Sequence, residues 1–492
     1  MALCLACFAL TRPILRALPW FLAAVGALPA QAEFATQTCH VQGMADAVQC
    51  ASLPRPLNPQ AAQGTQIAIH FAVLPAKARE KHADPIYFFA GGPGQSAIDV
   101  LAPMAWVLSR LNNRRDVVFI DQRGTGRSAP LVCAPDAKLS LEDALNPALL
   151  PQRMAQCRAA LEKLPHGDLR YYTTTLAMQD VEAVRAALGH ERINLIGVSY
   201  GTRAALEYQR LYPQRVRRMV LDGVVSPDMS LPQTMAEDAQ AALQALLADC
   251  AADKACAQQH PDLAQQWEKV FQRLPETTTL AHPLTGRVET VRVTAPMVAG
   301  MVRGPLYASS LAAGLPVAID AAAQGRWSAL AGLSSALGVR SGLGIAMGMH
   351  FAVICAEDAL RTAQRTAAGH FAAGMGDAYK AVCLQWPRGN VEPGFYKLAP
   401  AQSPVLLLSG GVDPVTPPRH AQRVAQALGR QVQQLVVPQA GHGLLGLACV
   451  RDEVFRFVDA KEPLRVTPPS CARSMPRASA FVPLGAYLQG TP

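Results

Sequence analysis

The sequence predicts an α/β protein: a mostly parallel sheet with helices on both faces, interrupted once by a large helical insertion. Three observations carry this. Short, continuously apolar runs such as Pro85–Ala90 (PIYFFA) and Ile193–Val198 (INLIGV) read as strands buried on both faces. Segments with helical spacing lie between such runs, the pattern of crossover connections. The alternation stops near Pro227 and resumes only at Ser403–Ser409 (SPVLLLS), leaving a long Ala-, Gln- and Leu-rich stretch that reads mainly as helix.

Taken in order, the first 32 residues stand apart. Arg12 and Arg16 supply positive charge, Ala17–Leu28 is an apolar run too short to span a bilayer, and Ala30-Gln31-Ala32 is a small-x-small cleavage pattern. We expect a signal peptide at 1–32 and an exported protein. The first part of the sheet domain is placed at 33–227, with its N-terminal residues as surface wrapping. Ile67–Leu74, Pro85–Ala90 and Asp116–Asp121 are strands. Thr173–Leu188 puts Leu176, Ala177, Val181, Val184 and Leu188 on one helical face, with Thr174 or Thr175 as cap and Gly189 as stop. Strand Ile193–Val198, a helix from Tyr200 to Leu211 and strand Arg217–Val224 follow. A helical cap occupies 228–402, over the strand ends where ligands bind in such sheets. The sheet resumes over 403–492 with Ser403–Ser409, Gln433–Val437 and a helix around Arg451–Val458, ending in a Pro-rich tail.

Composition excludes several classes. Half of the 492 residues are hydrophobic and 16% are charged, which does not suit a disordered chain. The net charge of +9 is spread thinly, without a Lys/Arg run or basic-aromatic interleaving, so nucleic acid is not expected as a partner. Nor is a membrane expected once the leader is removed. Beyond Cys4 and Cys7, ten cysteines remain, an even number that suits an oxidising compartment. Pairing neighbours gives 39–50, 133–157, 250–256, 355–383 and 449–471, although spacing alone leaves other connectivities open. Among those ten there is no CxxC, the only such spacing being Cys4-Leu5-Ala6-Cys7 in the leader, and the chain has no HExxH, so no metal or cofactor is implied.

The chemistry centres on Gly197-Val198-Ser199-Tyr200-Gly201, a G-x-S-x-G sequence lying between an apolar strand and a helix. Glycines two positions either side permit a sharp turn that lifts Ser199 Oγ above the sheet edge; a serine N-cap is the plainer reading. A candidate acid, Asp413, follows the strand VLLLSGG, and a candidate base, His442, lies in Ala440-Gly441-His442-Gly443 after the last strand. Ser, then Asp, then His is a chain order in which catalytic triads occur, distinct from the orders in chymotrypsin and subtilisin. Asp222, ending the strand after the elbow, is the alternative acid. Upstream, Gly91-Gly92-Pro93-Gly94 follows a buried strand and can present backbone N–H groups to an oxyanion. Tyr200 N–H is the expected first donor and Gly92 N–H the second, with Gly91 as fallback. Asp121-Gln122-Arg123-Gly124-Thr125-Gly126-Arg127-Ser128 reads as a structural turn beside the site.

Together, GGPG, DQRGTGRS, GVSYGT, DPVTP and GHG resemble the secreted prolyl-aminopeptidase/tripeptidyl-aminopeptidase branch of the α/β-hydrolases, over roughly Ile67–Pro227 and Ser403–Val458. The cap resembles the family least. The family's oxyanion motif usually begins with His; here Ala90 stands in that place, so a contact orienting the loop is lost. The resemblance implies an α/β-hydrolase fold, Ser199, Asp413 and His442 as triad, and short peptides as substrates. It also implies acidic cap residues that read a substrate's α-ammonium group. Glu357 and Asp358 look similar to such a site; a solvated helix start is the alternative. The expected activity is removal of N-terminal residues from peptides, with a carboxylesterase using the same triad as the rival and an idle binding fold behind it.

Overall fold

The computed structural model describes residues 34–133, 139–341, 344–358, 369–371, 375–462 and 465–481. The segment read as a signal peptide lies outside the described residues. Nine strands form one sheet in the order β1-β2-β3-β5-β4-β6-β7-β10-β11. They are β1 (Gln37–Cys39), β2 (Val48–Pro56), β3 (Gln66–Leu74), β4 (Ile86–Phe89), β5 (Val117–Ile120), β6 (Ile193–Val198), β7 (Val216–Asp222), β10 (Val405–Gly410) and β11 (Val432–Val437). From β5 to β11 every pairing is parallel, while β1, β2 and β3 add antiparallel neighbours at one edge. The result is a mostly parallel sheet whose strands alternate with helices.

Burial explains the parallel part. β4 and β5 are buried at every position and β6 at all but its last, so only Val-, Ile-, Leu- and Phe-rich segments suit them. The strand order matters more for function. From β4 the chain moves to β5 on one side, then crosses to β6 on the other, so β4 and β6 are neighbours whose connections leave in opposite directions. Such a switch point opens a crevice beyond the carboxyl ends of the two strands. The GGPG loop leaves β4 there, and Ser199 leaves β6.

The residues between β7 and β10 form a second layer around a core of their own, including Leu243, Trp267, Val298, Val302, Ile319 and Trp327. It is mostly helical, from Leu231–Ala252 to Met375–Gln385. One expectation needs correcting here. The layer also holds a hairpin, β8 (Glu276–Ala281) paired antiparallel with β9 (Val288–Val293). Its period-2 alternation is written in Thr, Glu and Arg rather than in apolar residues, because one face stays in water. A second correction concerns the N-terminal wrapping, which supplies β1 and β2. Pro54 and Pro56 weaken the local strand signal of β2, yet it pairs with β3 from Gln49↔Val73 to Pro56↔Gln66. The helix Thr174–Ala187 is capped by Thr173 rather than Thr174 or Thr175, because Thr174 is engaged elsewhere; Gly189, at φ 69°, follows its end as expected. The ten cysteines pair as 39–50, 133–157, 250–256, 355–383 and 449–471.

Candidate active site

Ser199 sits on the turn between β6 and the helix Tyr200–Leu211, at φ 56° and ψ −125°. A serine rarely adopts this backbone, and the surroundings enforce it. Its N–H donates to Asp222 O at 2.8 Å, and its carbonyl accepts from Thr202 N–H and Oγ1 at 2.8 and 2.6 Å. The flanking glycines leave no alternative. A Cβ on Gly197 would lie 2.4 Å from Gly201 O, and one on Gly201 would lie 2.1 Å from Phe89 O. The helix packs that closely on β4, which brings Ser199 beside Gly91.

Asp413 and His442 meet across two loops. His442 Nδ1 lies 2.8 Å from Asp413 Oδ2, so Nδ1–H donates to the carboxylate and Nε2 keeps its lone pair. Asp413 is 1% exposed and its other contacts are full: Oδ1 accepts from Val415 and Thr416 N–H, and Oδ2 also accepts from Thr416 Oγ1. Burial opposes ionisation of both groups, yet each favours the other's charged form. Asp413 is held below the usual carboxylate range and His442 above the usual imidazole range. Asp222, the alternative acid, does not take the imidazole proton. Its carboxylate accepts Leu444 N–H and Leu445 N–H at 2.7 to 2.9 Å, anchoring the loop that carries His442. Burial pushes its carboxyl up to about 6.

Gly223 relates Ser199 to His442. It directly follows Asp222, whose carbonyl holds Ser199 N–H, and a Cβ on it would lie 2.9 Å from His442 Cε1. The serine and the imidazole therefore flank one glycine. From above, His442 N–H donates to Tyr307 O at 2.8 Å, and the Tyr307 ring packs edge-on at 5.3 Å between centroids.

In the GGPG loop, Gly91 N–H donates to Gln95 Oε1 at 3.0 Å, which engages the fallback donor. Gly92 lies at φ 108°, and its N–H meets no acceptor among the described residues. Tyr200 is the first helical residue, so its N–H has no acceptor within the helix. Gln95 thus restrains a loop in which Ala90 cannot. The insertion restrains it as well: Ala346 N–H donates to Gly94 O at 2.9 Å, and His350 Nδ1–H donates to Pro93 O at 3.1 Å. Burial pushes His350 down to about 4, which keeps it neutral for this role. Below, Asp121 accepts from Ser96 Oγ, Ile98 N–H and Arg127 N–H, joining the DQRG turn to the same loop.

Glu357 and Asp358 are not at a helix start. They end the helix Met347–Glu357 and are each 1% exposed. Glu357 accepts from Thr174 N–H at 2.7 Å and Thr174 Oγ1 at 2.9 Å, and Asp358 accepts from Arg203 Nη1 at 3.0 Å. Arg203 also lies 3.6 Å from Glu357. The Tyr200 hydroxyl reaches Thr174 Oγ1 at 2.6 Å, so the cluster braces the residue after Ser199. Burial pushes Glu357 up to about 7. Sequence reading missed Arg203, Gln95 and Tyr307. A cation on the elbow helix is a signal for Arg203, whereas nothing local distinguishes Tyr307.

The family model of the alpha/beta hydrolase fold matches residues 84–447. Serine protease Hip1 of Mycobacterium tuberculosis is 32% identical over 183 residues, covering 34% of this chain and 35% of that protein. A tripeptidyl aminopeptidase of Streptomyces lividans is 30% identical over 199 residues, covering 37% of this chain and 36% of that protein. The chain thus spans about a third of the length of the curated relatives it matches. A solved proline iminopeptidase of Mycobacterium smegmatis is 16% identical, with a TM-score of 0.39 over 83% of this chain and 97% of that one.

Proposed function

From a chain that belongs to the alpha/beta hydrolase fold family, we propose an exported serine exopeptidase that releases residues from the amino end of short peptides. The observation that carries the reading is the Asp413–His442 pair at 2.8 Å, placed across Gly223 from a serine in an elbow backbone. In this reading Ser199 Oγ attacks the scissile carbonyl while His442 Nε2 takes its proton. Asp413 holds the tautomer and stabilises the imidazolium. Tyr200 N–H and Gly92 N–H receive the developing oxyanion. His442 returns the proton to the leaving amine, and water then cleaves the acyl-serine by the same steps in reverse.

Release from the amino end requires a partner for the substrate's ammonium group. Glu357 and Asp358 are the proposed carboxylates, reached by an ammonium that competes with Arg203 for them. Peptidase-named relatives support the peptide as substrate. Five disulfides support export. The rival is a carboxylesterase, since acyl transfer to serine does not require an amine leaving group. Purified protein assayed on an N-terminally free tripeptidyl anilide, its N-acetylated form and a short acyl ester separates the readings. The exopeptidase hydrolyses the free-amine anilide at least ~10-fold better than the acetylated one, the least expected from one charge-assisted contact. Ester turnover alone overturns the proposal, and so does indifference to acetylation.

A further inference from the structure

The GGPG loop carries a proposed oxyanion donor, and three of its four residues are glycine. Glycine leaves the backbone free to turn, so a donor on such a loop needs restraint from outside it. None of Ala90, Gly91, Gly92, Pro93 and Gly94 has a side chain that can hydrogen-bond. The insertion supplies part of what they lack. Both carbonyls that follow Gly92 in the loop are held from the start of the helix Met347–Glu357. Gly94 O accepts from Ala346 N–H at 2.9 Å, and Pro93 O accepts from His350 Nδ1–H at 3.1 Å. A carbonyl only accepts, so Nδ1 carries the proton and Nε2 the lone pair, which the Tyr379 hydroxyl meets at 3.0 Å. Tyr379 stands on the helix Met375–Gln385, one turn before Cys383, whose disulfide to Cys355 joins the two helices. The first turn of Met347–Glu357 is itself seated on the sheet domain. Gly348 N–H donates to Leu131 O at 2.9 Å, and a Cβ on Gly124 of the DQRG turn would lie 3.0 Å from Met349 Cβ.

We propose that His350 is a positioning residue for the oxyanion hole: its Nδ1–H, aimed by the Tyr379 hydroxyl, fixes the turn that directs Gly92 N–H. The inference rests on the serine-hydrolase reading above, in which Gly92 N–H receives the oxyanion. A donor stabilises a developing charge fully only if it is aimed before the charge appears, since turning it at that moment costs part of the gain. His350 acts through the loop, so its contribution belongs to the transition state and not to binding of the ground state. With its ionisation pushed down to about 4, the ring stays neutral and keeps this tautomer at neutral pH. The insertion thus takes part in the chemistry through a side chain that the sheet domain does not provide.

The test uses the full chain with a short acyl ester and an N-terminally free tripeptidyl anilide, because both acyl transfers form the same oxyanion. His350→Leu keeps apolar bulk and removes the donor. On whichever substrate the unaltered protein cleaves, it should lower kcat about tenfold or more, less than the ~10²–10³-fold cost of deleting an oxyanion donor outright. KM should stay within about twofold, the mark of an interaction made only in the transition state. Affinity for phenylboronic acid, whose adduct on Ser199 is tetrahedral, should fall by a similar factor. His350→Asn, which returns an N–H near the place of Nδ1, should restore most of both. Tyr379→Phe should lower kcat roughly threefold or more, as loss of one hydrogen bond predicts, and add nothing to His350→Leu. It carries the test if His350→Leu fails to fold, and an unchanged kcat in it would then overturn the proposal. A folded His350→Leu with unaltered kcat and boronate affinity would overturn the positioning role and leave the serine reading standing. So would equal losses in the leucine and asparagine variants, or a loss confined to KM or to melting temperature. Near-full turnover by Ser199→Ala, or no turnover of either substrate by the unaltered protein, would overturn both.

Discussion

Ser199, His442 and Asp413 come from three distant segments, and each is held by the backbone of its own loop. If Ser199 supplies the attacking oxygen, Ser199→Ala should lose ~10³-fold or more in turnover with no change in melting temperature; near-full turnover would remove the serine assignment. The Asp413–His442 pair has a pH signature. A base must be neutral, and His442 is held above the ordinary imidazole range. Activity should therefore rise with pH through a midpoint above that of a free imidazole. Asp413→Asn should move the midpoint down and cut kcat by roughly 10³–10⁴-fold; an unmoved acid limb would show that Asp413 does not face the base. Glu357 gives the opposite kind of signature, in stability. Its folded value, about 7, lies above that of an unfolded glutamate. Its contribution is thus complete in acid and lost as pH rises through about 7. Glu357→Gln keeps the volume and an acceptor for Thr174 N–H. Relative to it, the unaltered protein should lose stability on the order of 3 kcal/mol between about pH 4.5 and 7.5. Parallel melting curves across that window would contradict the assignment.

The elements act through close approach of backbone. The helix Tyr200–Leu211 can pack on β4 only because Gly201 has no side chain. We expect Gly201→Ala to destabilise by ~3 kcal/mol or more, since the carbonyl it would strike belongs to a central strand and cannot yield. Urea unfolding of Gly201→Ala beside Gly300→Ala, where a Cβ meets nothing, checks this. Equal midpoints would mean that the helix sits further from the sheet. The GGPG loop is likewise a shared part: Gln95 holds it from within, Asp121 from below, and His350 and Ala346 from the insertion. The proposed oxyanion donor Gly92 thus lies in a loop that the insertion helps to hold.

At the scale of the molecule, the sheet's switch point gathers the loops after β4 and β6, and each disulfide closes a local segment of the chain. Four of the five close loops of more than ten residues, and each such link contributes roughly 2–4 kcal/mol. Exported protein should present essentially no reactive thiol before reduction and should melt several degrees lower after it. Titration of several thiols in the native exported protein would contradict both the pairing and the compartment.

The sequence alone determined the parallel sheet, because a strand buried on both faces must be written in consecutive apolar residues. It determined the elbow as well, since only glycines at 197 and 201 allow the turn at Ser199. It also made Asp413 and His442 candidates, because each follows a strand that must end at the same sheet edge. Only the tertiary structure decided between Asp413 and Asp222. Both end adjacent strands, and the choice depends on which carboxylate faces Nδ1 and which accepts Leu444 and Leu445 N–H. It alone decided that Glu357 and Asp358 face Arg203 rather than solvent. Tyr307 comes from the insertion, whose helices answer to their own core and carry no local mark of His442, which Tyr307 holds. A periodic pattern records which face of an element is buried; it does not record what that face is buried against.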